Sequence, residues 1–428
     1  MSLRRNALLL VLATGVLAIL GLWSGGALER LWRIPAGLLL LGLAYEGWQA
    51  ARAAPTLQVQ TAQRWFLGRA TPLRLLLGPA RPRALTLQLA PAAPAQIAMN
   101  RAVRSVRVPG ALELSATARR LGGFEWPAMS GRLGGVLGLA WWSERLASTC
   151  HVQVVPDVLQ AHERAAGTGL RGERAALRLG AGAEILQLRD YRRGDPPRAV
   201  DWKASARRGR LISRDYSEDQ HLEIVLAVDA GRASGLRAGD TDRLALYANV
   251  AARFAERAAA LDDSVGLVLY AERPLAAVAP GRGTAAVARV RACLTAARVH
   301  TGDGNPALAA LRARALLQRR SLVIFLTDLD EPSALGELAA AVRLLLPKHL
   351  PFLAGVDSES AQRLAYESVG DDLGAYRALA AQEYCAAVTR NVQALRALGA
   401  AAVLARPRAL EQAVLEAYVR FRQRRKVG

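Results

Sequence analysis

From His221 onward, apolar runs with no polar face alternate with longer amphipathic segments, and this alternation restricts the fold more than any other feature of the chain. LEIVLAVDA (222–230), SVGLVLYAE (264–272) and SLVIFLTDLD (321–330) read as buried strands, and HLPFLAGVD (349–357) and AAVLAR (401–406) supply two more. DRLALYANVAARFAERAAALDD (242–263), PALAALRARALLQRR (306–320) and ALGELAAAVRLLL (334–346) read as the helices between them. Strands apolar on both sides need cover on both faces, so a mainly parallel, doubly wound α/β sheet is expected over residues 221–428. In such sheets ligands bind beyond the carboxyl ends of the strands, where Asp229 and Asp328 fall.

The first part of the chain follows a different pattern. Residues 55–157 hold short stretches of alternating character, such as LTLQLA, SVRVPG and ALELSATAR, broken by proline and glycine. That pattern predicts a small antiparallel β-sandwich, to which no site is assigned. Ahead of it, MSLRRN leads into an unbroken apolar run over 7–23, at the low end of the roughly 17–25 residues that span a bilayer. A second run over 34–45 lies between Trp32 and Trp48, which stand like interfacial anchors. Residues 1–54 are therefore expected to form a transmembrane helical hairpin. The alternative is a cleaved signal peptide, disfavoured by a second apolar segment so close behind. Arg4 and Arg5 before the hairpin, and Arg52, Arg64 and Arg69 after it, place the bulk of the chain in the cytoplasm, facing the inner membrane, by the positive-inside bias.

Charge and motif absences narrow the function. The net charge of +21 comes almost wholly from arginine, since Lys203, Lys348 and Lys426 are the only lysines. Such an excess attracts anionic partners, lipid or nucleic acid, without choosing between them; few aromatics interleave with the basic residues, so nucleic acid is disfavoured. The three cysteines, Cys150, Cys293 and Cys385, are far apart and form no C-x-x-C pair, which suits buried small hydrophobes in a reducing compartment. No lysine follows a glycine, so there is no P-loop, and neither H-E-x-x-H nor G-x-S-x-G occurs. Gly281–Ala286, a loose G-x-G-x-x-A, reads as an ordinary glycine turn. No cofactor is expected and catalysis is the minority reading.

Between the two patterns, residues 158–220 form a connector. Its first part, 161–183, is polar and aperiodic, and reads as a flap. Its second part, RDYRRGDPPRAVDWKASARRGRLISRDY (189–216), carries the densest charge and turn pattern in the chain. Gly194-Asp195 before Pro196-Pro197 makes a turn, because two prolines remove two donors and bias the preceding residue to extended geometry. A short helix follows, with Val200 and Trp202 as its apolar contacts and Gly209 as its stop. Arg189, Asp190, Asp195, Arg198, Asp201 and Arg207 belong to an arginine–aspartate alternation that predicts an interlocked ion-pair cluster. A phosphate-binding or docking surface is the minority option.

This run resembles the signature of the domain-of-unknown-function 58 family, which reads R-E-Y, then G-D, then R-x-I-D-W and A-R. Arg189, Asp190 and Tyr191 stand at the first motif, Gly194 and Asp195 at the second, and Arg198, Asp201, Trp202 and Arg207 at the rest. Asp190 replaces the usual glutamate and Val200 the common isoleucine. The resemblance implies a von Willebrand A-like α/β domain and work beside a MoxR-type AAA+ ATPase, as a membrane-anchored adaptor in the assembly or maturation of other proteins. It also implies a test for a Mg²⁺ site. Asp229 and Asp328 match two of the oxygen ligands, but Gly231 and Ala233 stand where two serines belong, Ser234 is one position off, and the middle loop, HTGDGNP, offers Thr301 and Asp303. Mg²⁺ needs near-octahedral oxygen coordination. The expectation is a degenerate site whose two carboxylates cap helices or pair with arginines.

Overall fold

The computed structural model describes residues 2–24, 30–53, 55–78, 85–158, 179–193, 195, 197–217, 221–330, 334–366 and 372–427. It divides into two compact units, one of 1–157 with 240–245 and 295–298, the other of 158–239, 246–294 and 299–428.

The first unit begins with β1 (Ser2–Leu3), α1 (Arg5–Ser24) and α2 (Arg33–Ala53). Eleven strands follow: β2 (Leu57–Gln60), β3 (Arg64–Phe66), β4 (Ala70–Leu77), β5 (Leu85–Ala90), β6 (Ile97–Met99), β7 (Arg104–Val108), β8 (Gly110–Ala118), β9 (Gly122–Glu125), β10 (Met129–Gly134), β11 (Ala140–Leu146) and β12 (His151–Val155). They form sheets in the orders β1-β11-β10-β5-β7, β2-β4-β8-β6 and β3-β12-β9. Period-two burial explains them, as in β5, where Leu85, Leu87 and Leu89 are buried and Thr86 is exposed. A purely antiparallel sandwich is corrected in one respect: β3 and β12 pair in parallel, which the long excursion through β4 to β11 between them permits.

The transmembrane hairpin is also corrected. Among the described residues no helix is long and apolar enough to cross a membrane. The physical reason is plainest in α2. Gly42, Glu46, Gln49, Ala50 and Ala53 recur on one helical face and are buried. The fully buried Glu46 carboxylate accepts from the backbone N–H groups of Leu139, at 3.2 Å to each oxygen, and Ala140, at 3.0 Å. A Cβ at Gly42 would lie 2.6 Å from Leu139 Cδ1, so the helix approaches closely because the residue is glycine. Trp48, read as an interfacial anchor, stacks with Tyr45 and carries the Arg52 guanidinium 4.2 Å from its ring centre. The start of α1 is tied down likewise: β1 pairs with β11, Arg4 lies 4.4 Å over Trp141, and Ala7 is fully buried, while Leu8, Leu9, Leu12 and Ile19 stay exposed.

The second unit contains a ribbon and a sheet. The ribbon pairs β13 (Leu179–Asp190) with β14 (Ile212–Ser217), with α3 (Trp202–Arg208) between them. The flap read over 161–183 is thus corrected at its end, where residues from Leu179 are strand; 159–178 lie outside the described residues. The sheet order is β19-β18-β15-β20-β21-β22, from β15 (Glu223–Asp229), β18 (Ser264–Tyr270), β19 (Pro274–Gly281), β20 (Leu322–Leu326), β21 (Leu350–Val356) and β22 (Ala401–Ala405). Only β19 runs antiparallel. The short β16 (Arg237–Ala238) and β17 (Thr241–Asp242) lead into α4 (Arg243–Ala260). The remaining helices are α5 (Gly283–Ala296), α6 (Pro306–Leu316), α7 (Ala334–Leu345), α8 (Glu359–Tyr366), α9 (Asp372–Ala397) and α10 (Leu410–Val427).

All five residues of β20 are buried, as are Ile224–Asp229 of β15, so the sheet is covered on both faces. On one face Val225, Ala227, Val323, Phe325 and Leu353 meet Ala309, Ala310 and Ala313 of α6 and Leu338, Ala341 and Val342 of α7. Alanines on α6 let its backbone approach the sheet, which suits an alanine-rich, aromatic-poor chain. The strand order reverses between β15 and β20, which makes the gap beyond their carboxyl ends the switch point of the fold.

Replacing Glu46 with alanine strands the Leu139 and Ala140 donors. We expect a loss of about 1–3 kcal/mol for each in urea unfolding of the first unit.

Candidate functional site

The signature segment is built around two carboxylates. Asp195 accepts a bidentate pair from Arg189, Nη1 to Oδ2 at 2.8 Å and Nη2 to Oδ1 at 2.9 Å, and the Arg192 N–H at 2.9 Å. The Tyr191 hydroxyl donates to the Asp195 carbonyl at 3.3 Å. Asp201 has two tasks. Its Oδ1 caps α3 by accepting the Ala204 N–H at 3.0 Å, and its Oδ2 accepts from Arg214 Nε at 2.9 Å. Ser205 then bridges, its hydroxyl donating to the Asp201 carbonyl at 2.7 Å and accepting the Ile212 N–H at 2.8 Å. Gly209 ends the helix at φ 63°, a left-handed geometry glycine adopts without strain.

The other signature residues face outward. Asp190 pairs with Arg210 at 2.9 Å on the surface, and Arg207 is exposed in the last turn of α3, where a cation complements the helix dipole. Val200 is buried as expected, but Trp202 is 66% exposed, which corrects its reading as a core contact. It is the first residue of the helix. Gly194 and the side chain of Arg198 lie outside the described residues.

The switch point is organised by Asp229. Its Oδ1 accepts the Gly231 N–H and its Oδ2 the Thr327 hydroxyl, both at 2.8 Å. Ser234, fully buried, donates to the Asp229 carbonyl at 2.9 Å. Asp328 Oδ1 accepts the Tyr247 hydroxyl at 2.7 Å, and that hydroxyl lies 3.1 Å from the Thr327 carbonyl. Complete burial, and then the Asp229 charge beside it, push the Tyr270 hydroxyl pKa well above its ordinary value. The loop after α5 closes over this cluster. His300 N–H donates to the Ala230 carbonyl and Arg232 N–H to the Gly302 carbonyl, each at 2.8 Å, while the Arg232 side chain pairs on the surface with Asp303 at 2.9 Å. A Cβ at Gly304 would lie 2.5 Å from both Asp229 carboxylate oxygens.

This geometry does not fit a Mg²⁺ ion. Asp229 already receives an N–H and an O–H, Gly304 fills the space over it, and Gly231 and Ala233 bring no hydroxyl. Among the described residues, no three His, Cys, Asp or Glu side chains gather as a metal cage. Asp229 braces the turn at Gly231. At the switch point the chain's own loop occupies the rim. Gly281–Ala286 joins the antiparallel β19 to α5, with Gly283 at φ 71°, a turn without the parallel-strand context a dinucleotide loop requires. Thr327, Tyr247 and Gly304 escaped the sequence reading; the Thr-Asp pair closing the most apolar strand was the available signal.

Asp195 and Asp201 are both held at a pKa of about 2, first by the Arg189 and Arg214 guanidinium groups and then by backbone N–H donors. These values lie below the ordinary carboxylate value of about 3.9. Their stabilisation is therefore complete above about pH 4 and lost as pH falls through about 2. Pepsin cleavage within 189–217 should rise between about pH 4 and pH 2, and Asp195→Asn should already be cleaved rapidly at pH 4. Gly304→Ala should cost about 1–3 kcal/mol in urea unfolding, through overpacking. Gly336→Ala, on α7 with nothing within 4 Å of its Cβ position, should cost nothing.

No curated protein matches the chain. Residues 187–351 match the family model described as "Protein of unknown function DUF58", a stretch running from the second half of β13 through the signature ribbon and the switch point to the start of β21. That is the family whose signature the segment 189–216 resembles.

Proposed function

We propose that the chain is a non-enzymatic interaction protein whose α/β unit offers the exposed flank of α8 and α9 to a protein partner. One observation carries this reading. Leu364 and Tyr366 of α8, and Leu373, Tyr376 and Leu379 of α9, are exposed, with Tyr366 at 83% and Tyr376 at 73%. On α9, Leu373, Tyr376 and Leu379 follow one another at three-residue spacing and so form a stripe, while Val388, Val392 and Leu395 further along are buried. A clustered apolar and aromatic surface of this kind marks interaction sites, where tyrosine is enriched. The switch point supports the same reading from the other side, because its carboxylates are engaged by Gly231, Thr327 and Tyr247.

The partner implied by the family resemblance is a MoxR-type AAA+ ATPase, and the corresponding role is adaptor in the assembly or maturation of other proteins. The test is a pull-down with a cognate MoxR ATPase and a measurement of its turnover. The intact chain should be retained and should change ATP hydrolysis. The double variant Leu373→Asp, Tyr376→Glu should lose at least tenfold in affinity with an unchanged thermal midpoint. Equal retention of the variant would overturn the assignment of this flank.

A further inference from the structure

At the far edge of the six-stranded sheet, β22 lies against both α9 and α10, and a cavity of about 300 Å3 opens beside it. Its walls are apolar, formed by Phe352, Val403, Ala417 and Phe421 with Ala401, and among the described residues no acidic side chain lines it. Phe352 and Phe421 meet edge to face with ring centres 6.0 Å apart. Two arginines complete the lining, Arg396 from α9 and Arg420 from α10.

The walls are held firmly. Asp263, fully buried at the amino end of β18, accepts from the Tyr418 hydroxyl and from Arg422 at 2.6 Å, and from the Leu222 N–H at 2.8 Å. Tyr418 also packs edge to face on Phe254 at 5.1 Å. These contacts fix the turn of α10 that carries Arg420 and Phe421. The strand itself, AAVLA, has neither a charge nor a proline, the usual guards of an edge strand. Its cover is Arg396, whose Nε and Nη2 donate to the Ala402 carbonyl at 3.0 and 2.8 Å.

We propose that this groove binds an acidic, extended segment of a partner protein, with a bulky apolar side chain against Phe421 and Val403 and a carboxylate at Arg420. The apolar walls supply the first requirement, the all-basic lining the second, and the edge strand favours an extended chain laid alongside it. The groove shares no residue with the α8–α9 flank, so the two assignments stand or fall separately.

The test uses the intact chain and fluorescein-labelled decapeptides of alternating glutamate and leucine, glutamate and serine, or lysine and leucine, read by fluorescence anisotropy at near-physiological salt. The glutamate–leucine peptide should bind at least tenfold more tightly than either other peptide. Arg420→Glu should weaken it at least tenfold and Arg420→Gln severalfold, with unchanged circular-dichroism melts. Arg312→Glu, an equal change of charge on the exposed face of α6, should leave it within twofold. Equal binding of the glutamate–serine peptide would overturn the proposal, since it would mean simple attraction to a chain of net charge +21. Absent binding, or Arg420 variants that bind as tightly as the parent, would overturn it as well.

Discussion

Burial of β20 and of β15 from Ile224 to Asp229 is the constraint on which the second unit depends. A strand with water on neither side cannot carry a polar side chain along its length, so polar groups are driven to its ends. Asp229 stands at one end and Asp263 lies at the other end of the same sheet; both are buried and both are met by several donors. At the carboxyl end, the donors brace the loop that closes the switch point. At the amino end, they seat the last helix. Each buried carboxylate is thus a fastening whose loss would leave buried donors without an acceptor.

The same logic in a half-exposed setting explains the signature segment. Asp195 and Asp201 each gather a guanidinium and a backbone N–H, and Asp201 also starts a helix that Gly209 ends. A seven-residue helix has little stability of its own. Cap, ion pair and the Ser205 bridge together make it a fixed corner of the ribbon. The motif therefore reads most simply as a folding device.

Much of the second unit was legible because burial writes itself into periodicity. LEIVLAVDA and SVGLVLYAE became β15 and β18 within two residues, while SLVIFLTDLD runs four residues past the end of β20. The turn at Asp195, the helix stop at Gly209 and the pairing of arginine with aspartate were legible too, since each is local. The amino-terminal helices were misread because hydropathy averages around a helix. The stripe of Gly42, Glu46 and Gln49 has meaning only once β11 lies against it.

The sequence by itself determined where apolar strands must run, where the chain must turn, and that arginine would meet aspartate in one short segment. Tertiary structure alone decided that Asp229 would spend its oxygens on Gly231 and Thr327 beneath Gly304, closing the rim. The reason is physical. Period and turn chemistry act between near neighbours, whereas Thr327 reaches Asp229 across 98 positions, and only the packed sheet brings such groups to hydrogen-bonding distance.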